Sequence, residues 1–281
     1  MENKIKYFFV VIFAVLLHGC DLDFSGFVKP HTPVNKRFAQ SNQWNNSQSP
    51  RIVFIADTSY TVHIAGDSHI GSTNSIQALF DSSATPKTTA LFIAGDITTG
   101  KKDDYDVLKK FTDSSSGVCY NFMVGNHDLY FNGWKSFYQY YGSSSYTLSV
   151  VTPTFSDLFI CLDSGSGTLG NDQLKWLRDI LTNYRSSYKN CFVITHVNFF
   201  RNRMGLTANP NIEEIHVLLD LFAQHNVNYV ITGHDHYQYE ETFGETTYIT
   251  MDAIVEGFKN PTFLKLNISK EEIQHAFIPL E

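Results

Sequence analysis

Five short stretches of the chain carry residues that bind metals, and each follows or closes an apolar run. "AGDSH" offers Asp67 and His69, "AGDIT" offers Asp96, "VGNHD" offers Asn126, His127 and Asp128, "CFVITH" ends on His196, and "TGHDH" offers His234, Asp235 and His236. Carboxylate, amide oxygen and imidazole together suit Mn, Fe, Zn or a similar divalent ion, and the lack of thiolates argues against a structural zinc site. Asp67, His69, Asp96, Asn126, His196, His234 and His236 are too many donors for one open catalytic metal. They suit two divalent transition metals sharing a bridging carboxylate.

Elements that could position such groups are visible around them. "RIVFIA", "YTVHIAG", "TALFIAG", "VCYNFMVG", "LFICLD", "CFVITH", "NYVITG", "TYITM" and "FLKLNI" are short and apolar, the pattern of strands buried on both faces or nearly so. Between them lie helical stripes: Ile76, Leu79 and Phe80; Val107, Leu108 and Phe111; Leu174, Leu177 and Leu181; Ile212, Ile215, Leu219 and Phe222. More strands than helices, with crossovers, indicates an α/β domain of two sheets or one large mixed sheet. In open α/β sheets ligands sit beyond the carboxyl ends of strands, where all five clusters stand, and the glycines there permit sharp turns. Asp57 also follows an apolar run, but no His stands two residues on, so "RIVFIADTSY" reads as a preceding strand and turn.

The N-terminal part has a different character. Lys4 and Lys6 precede an apolar stretch from Tyr7 to Leu17 that is too short to span a membrane and has signal-peptide length. "LLHGC" resembles the lipobox of bacterial lipoproteins, with His18 where a small residue is usual. The resemblance implies a signal peptide over residues 1–19 and a lipid on Cys20 that anchors the chain to a membrane on the periplasmic or cell-surface side. An ordinary cleaved signal peptide is the alternative. Residues 20–50, rich in Ser, Asn, Gln and Pro, read as a flexible tether, and 51–281 as the catalytic domain. With a net charge of -7 and no basic run, no nucleic-acid polymer is expected as a partner. Cys119, Cys161 and Cys191, an odd set in apolar runs, read as core thiols.

The ordered set D-x-H, G-D, G-N-H-D, H and G-H-x-H, spread from residue 51 to about 270, resembles the calcineurin-like metallophosphoesterase superfamily. The resemblance implies two packed mixed β-sheets flanked by helices. It implies that Asp67, His69 and His236 hold one metal, that Asn126, His196 and His234 hold the other, and that Asp96 bridges them. It gives His127 the transition state or the leaving oxygen, and Asp128 the task of orienting His127. The implied reaction is hydrolysis of a small phosphoester by in-line attack of metal-bound hydroxide, without a covalent intermediate.

Beyond these blocks, Arg201 and Arg203 in "HVNFFRNRMG" could reach a substrate phosphate, with solvated loop charges as the alternative. Phe199, Phe200 and the loop Ser164 to Gly167 are candidates for the rim. "GDITTGKKDDYDVLKKF", "GNDQLKWLRDIL" and "GHDHYQ" look most like the branch of bacterial cyclic-nucleotide phosphodiesterases and related acid phosphatases. Thr99 stands where purple acid phosphatases place a metal-binding Tyr, which argues against a coloured Fe(III) site. An exported N-terminus argues against an intracellular messenger as substrate. The leading expectation is an exported, lipid-anchored phosphoesterase for small phosphomonoesters or phosphodiesters. The alternatives are a phosphodiesterase for nucleotides or phospholipid head groups, and a metal-free scaffold on the same fold.

Overall fold

In the computed structural model, which describes residues 32–70, 73–85, 88–115, 117, 119–199, 208–255, 257–258 and 261–280, two mixed β-sheets lie face to face with helices on both outer sides. The expected signal peptide, the expected lipid attachment at Cys20, and Phe200, Arg201 and Arg203 lie outside the described residues. The strands are β1 (Arg51–Phe54), β2 (Ser59–Ala65), β3 (Thr88–Ala94), β4 (Tyr120–Met123), β5 (Tyr146–Val151), β6 (Ser156–Cys161), β7 (Asn190–Ile194), β8 (Tyr229–Thr232), β9 (Tyr239–Phe243), β10 (Thr246–Thr250), β11 (Thr262–Ser269) and β12 (Ile273–Pro279). The helices are α1 (Val34–Asn46), α2 (Thr73–Ser83), α3 (Lys102–Ser114), α4 (Trp134–Tyr141), α5 (Gly170–Asn183) and α6 (Ile212–Gln224). One sheet has the order β1-β5-β6-β7-β8-β10-β9, the other β12-β11-β2-β3-β4.

Both faces of the central strands are used, which explains their near-continuous apolar character. On β3, Phe92 and Ala94 point between the sheets, where Phe92 stacks on Phe159 at 5.2 Å and Phe159 on Phe192 at 4.6 Å. Leu91 and Ile93, one position away, pack under Leu79 and Phe80 of α2 and Leu108 of α3. Across the other sheet, Leu158 and Val193 meet Leu177 of α5 and Phe222 of α6. Strands β2, β3 and β4 run parallel in one sheet and β6, β7, β8 and β10 in the other, so many carboxyl ends finish along one rim of the sandwich.

Three expectations need correction. Residues 34–46, read as tether, form α1, which packs on α5 through Phe38 and Trp176, 5.8 Å apart. Its sequence is polar, and its buried residues are Arg37, Phe38 and Ser41, so no apolar stripe announced it. Cys161 and Cys191 are buried, whereas Cys119 is exposed, because β4 begins only at Tyr120. On α6 the buried face is Leu218, Leu221 and Phe222, while Ile212, beside the N-cap Asn211, is 64% exposed. Strands β5, β9 and β12 escaped the sequence reading; β9, with Glu240 and Glu241, is a polar strand at the sheet edge.

His63 is a core histidine on β2, its Nδ1 3.0 Å from Ser83 Oγ and its ring 4.6 Å from Phe263. Burial, with Lys265 nearby, lowers its pKa to about 4. The unfolded chain, with an ordinary His pKa near 6.5, therefore binds the proton more readily, and stability falls as pH drops from about 6.5 towards 4. Thermal unfolding across this pH range should show a shallower acid loss in His63→Gln than in the wild type. Equal slopes would remove His63 from the account.

Candidate metal centre

The turns that end β2, β3, β4, β7 and β8 carry all seven donors expected to bind metal. Five of them adopt left-handed backbone: Asp67 (φ 55), His69 (φ 40), Asp96 (φ 50), His234 (φ 72) and His236 (φ 56). Non-glycine residues in that region cost about 1 kcal/mol or more each, and such strain gathers where function requires a geometry. Two glycines accept the carboxylates at close range. A Cβ on Gly125 would collide with Oδ1 of Asp96, and one on Gly233 with Oδ2 of Asp67. Glycine at the strand end is therefore needed for the approach of the neighbouring donor.

The donor atoms converge in overlapping groups. Asp67, His69 and His236 place one atom each within 4.8 Å of one another, and so do His69, Asp96 and His127, and Asp96, His196 and His234. Asp96 faces both groups, with Oδ2 3.7 Å from His69 Nε2 and Oδ1 3.4 Å from His196 Nε2. Asp67 Oδ1 lies 3.2 Å from His236 Nε2, while Asp67 Oδ2 accepts the His234 backbone N–H at 2.9 Å. Asp67, Asp96 and His196 are buried; His236 and His127 are part-exposed, so the centre opens on their side.

The donor set calls for a cation. His196 Nδ1 faces the Ala94 carbonyl at 2.9 Å, and since a carbonyl only accepts, Nδ1 carries the proton. In the neutral ring Nε2 is then an acceptor, yet it stands 3.2 Å from Asn126 Oδ1 and 3.2 Å from His234 Nδ1. The Asn126 amide is turned this way because its Nδ2 donates to the Tyr130 hydroxyl at 3.0 Å. A proton on His196 serves one of these contacts at a time, whereas Asn126, His196 and His234 together would suit a divalent metal. Burial alone would lower the His196 pKa, but Asp96 and Asp67 outweigh it and push it up to about 9. Burial likewise opposes ionisation of Asp96, yet His196, His69 and His127 hold its carboxyl well below the usual range. The pocket thus keeps its carboxylate charged and favours positive charge beside it.

His127 stands at the edge of this group. Its backbone N–H donates to Asp96 Oδ1 at 2.8 Å, and its ring meets His69 edge-on at 4.4 Å, with Nε2 3.9 Å from Asp96 Oδ2. Burial lowers its pKa, with the Asp96 charge acting against that. Asp128 was expected to orient the His127 ring. Instead, its carboxylate accepts from Ile97 N at 3.2 Å, Thr98 N at 2.8 Å, Thr98 Oγ1 at 2.9 Å and Gly125 N at 2.9 Å. It ties the Asp96 turn to the Asn126 turn and reaches His127 only through the backbone.

Two groups escaped the sequence reading. Tyr130 gave no signal beyond following "GNHD", and Ser164 was read as rim. Ser164 is fully buried, and its Oγ accepts from Thr195 Oγ1 at 2.7 Å, His196 N at 3.2 Å and Val197 N at 2.8 Å. Phe199 is buried as well.

The sequence model of the calcineurin-like phosphoesterase family matches residues 50–238. The chain belongs to this family. Its two-sheet sandwich is similar to solved phosphoesterase-fold structures. GAP50, described as the anchor in the inner membrane complex of Plasmodium, aligns with a TM-score of 0.64 at 12% identity over 80% of this chain and 86% of that one. A dimetal phosphatase from Danio rerio aligns with a TM-score of 0.60 at 14% identity over 80% and 100%. A putative 5'-nucleotidase from Staphylococcus aureus gives 0.56 at 13% over 79% and 54%. At these identities the likeness concerns the fold. No curated protein matches the chain in sequence.

Proposed function

We propose that the chain is an exported, lipid-anchored phosphoesterase with two divalent transition metals, acting on small phosphomonoesters or phosphodiesters. The observation that carries this reading is the meeting of seven oxygen and nitrogen donors from five separate strand ends, with Asn126 Oδ1 and His234 Nδ1 each 3.2 Å from His196 Nε2. Asp67, His69 and His236 would hold one metal, Asn126, His196 and His234 the other, and Asp96 both. When bound, the pair supplies Lewis-acid polarisation of the phosphoryl group and a nucleophile at neutral pH.

The chain's own residues do the rest. Asp96 fixes the spacing of the two halves and, through the His127 N–H, the position of the catalytic turn. His127, part-exposed at the open side, is placed to give a proton from its ring to the departing oxygen. Asp128 locks the two turns together so that this placement is kept. Arg201 and Arg203 are proposed to meet the substrate phosphate with forked guanidinium donors.

Hydrolysis of a chromogenic phosphomonoester and the matching diester by the full chain with Mn tests the activity and ranks the two substrate classes. Higher turnover of the diester would favour the reading as a phosphodiesterase for nucleotides or head groups; no turnover of either, with no metal bound, would favour a scaffold. The anchor is tested separately: labelled palmitate should enter the wild type and not Cys20→Ala. A wild type without label would overturn it.

A further inference from the structure

Helix α1 precedes the matched family segment and is held to the body by a buried ion pair as well as by apolar packing. Arg37 is fully buried. Its Nε donates to Asp163 Oδ2 at 2.7 Å and its Nη2 to Asp163 Oδ1 at 2.9 Å. Nη2 also donates to Ser166 Oγ at 2.9 Å, and Nη1 to the Thr32 carbonyl at 2.6 Å. A buried ion pair contributes little net stability over apolar packing, because desolvation offsets the attraction; what it adds is a defined geometry.

That geometry leads to the metal centre. Asp163 and Ser166 flank the two residues of the loop that meet the donor-bearing turns. Ser164 receives the backbone N–H groups of His196 and Val197. Gly165 lies so close to the Gly125 carbonyl that a Cβ there would be 2.8 Å from it, and Asp163 Oδ1 accepts the Gly165 N–H at 3.2 Å. One short loop therefore braces the turns of both Asn126 and His196, and Arg37 fixes that loop at its two ends. The turn of Asp67 and His69 is braced elsewhere, on the Asp96 turn: Asp67 N–H donates to the Gly95 carbonyl at 3.1 Å, His69 N–H to the Asp96 carbonyl at 2.9 Å and Ser68 Oγ to the Ile97 carbonyl at 3.0 Å.

We propose that Arg37 is a positioning residue for the metal held by Asn126, His196 and His234, acting through Asp163 and the 163–166 loop, so that α1 sets the affinity of one metal and not the other. The inference rests on the two-metal reading above. Partners that orient metal ligands typically change metal affinity by about 10- to 100-fold.

The test is titration of the metal-stripped full chain with Mn, read by calorimetry, for the wild type, Arg37→Lys and Phe38→Ala. Lys keeps the charge but cannot reproduce the forked contact. Phe38→Ala weakens α1 docking against Trp176 without touching the loop. The expected result is two binding events in the wild type, of which Arg37→Lys weakens one about 10- to 100-fold and leaves the other unchanged. Phe38→Ala should lower the melting temperature and keep both affinities. Unchanged affinities in Arg37→Lys, or equal weakening of both sites, would overturn the role of Arg37 while leaving two metals in place. The same selective loss in Phe38→Ala would reduce the effect to helix docking and also overturn it. A wild type that binds fewer than two Mn would overturn the two-metal reading itself.

Discussion

Asp96→Asn is expected to lower metal-dependent phosphoester hydrolysis by roughly 10³-fold or more and to reduce bound metal from two ions per chain to one. The carboxylate is the group that faces both halves of the centre, 3.7 Å from His69 and 3.4 Å from His196. An amide keeps the shape and one acceptor oxygen but loses the charge and cannot bridge through two equivalent oxygens. Loss of several kcal/mol of transition-state stabilisation corresponds to about three powers of ten in rate. The Asn side chain could present its oxygen to the His127 N–H and keep that turn in place, so the fold should survive. Circular dichroism alongside metal analysis and turnover separates the cases. Near-wild-type turnover in a folded Asp96→Asn protein would refute the assignment of Asp96 as the bridge.

His127→Ala should show a different signature. Its ring stands beside the donors and outside the two groups assigned to the metals, so metal content should stay at the wild-type level. A general acid is worth roughly 10² to 10⁴ in rate, and its value depends on how badly the leaving oxygen needs a proton. For an alkyl phosphoester kcat should fall by that factor. For a nitrophenyl ester, whose phenolate departs without help, the loss should be much smaller. Comparison of the two substrates in wild type and variant checks this. An equal loss on both would assign His127 to electrostatic stabilisation of the phosphoryl oxygens instead of proton donation.

The donors were legible in the sequence because three local signals coincide at each of them: an apolar run that ends, in most cases a glycine, and a metal-binding residue type. The turns place these residues in left-handed backbone, which Asp and His tolerate better than β-branched residues do. The helices α2, α3 and α5 were legible for a similar reason, since an apolar stripe is a local pattern. Helix α1 was not, because what anchors it is an ion pair between residues 126 apart in sequence, Arg37 and Asp163. Nothing in "VNKRFAQSNQWNN" alone tells a buried arginine from a solvated one. Ser164 was misplaced on the rim for the same reason: its buried hydroxyl takes bonds from a strand end that the chain reaches only 31 and 32 residues later. The Asp128 case differs. Its residue type and neighbours suggested a partner for His127, while the fold spends its oxygens on backbone N–H groups of the adjoining turns.

The central claim is that the converging donors form a two-metal hydrolytic centre. The most direct measurement strips the full-length protein of metal with a chelator, restores Mn in known amounts, and follows hydrolysis of a chromogenic phosphoester against metal bound. The account predicts turnover near background in the stripped protein and a return of activity that is complete only when two ions are bound per chain. Turnover unaffected by the chelator, with no metal found in the active protein, would contradict it.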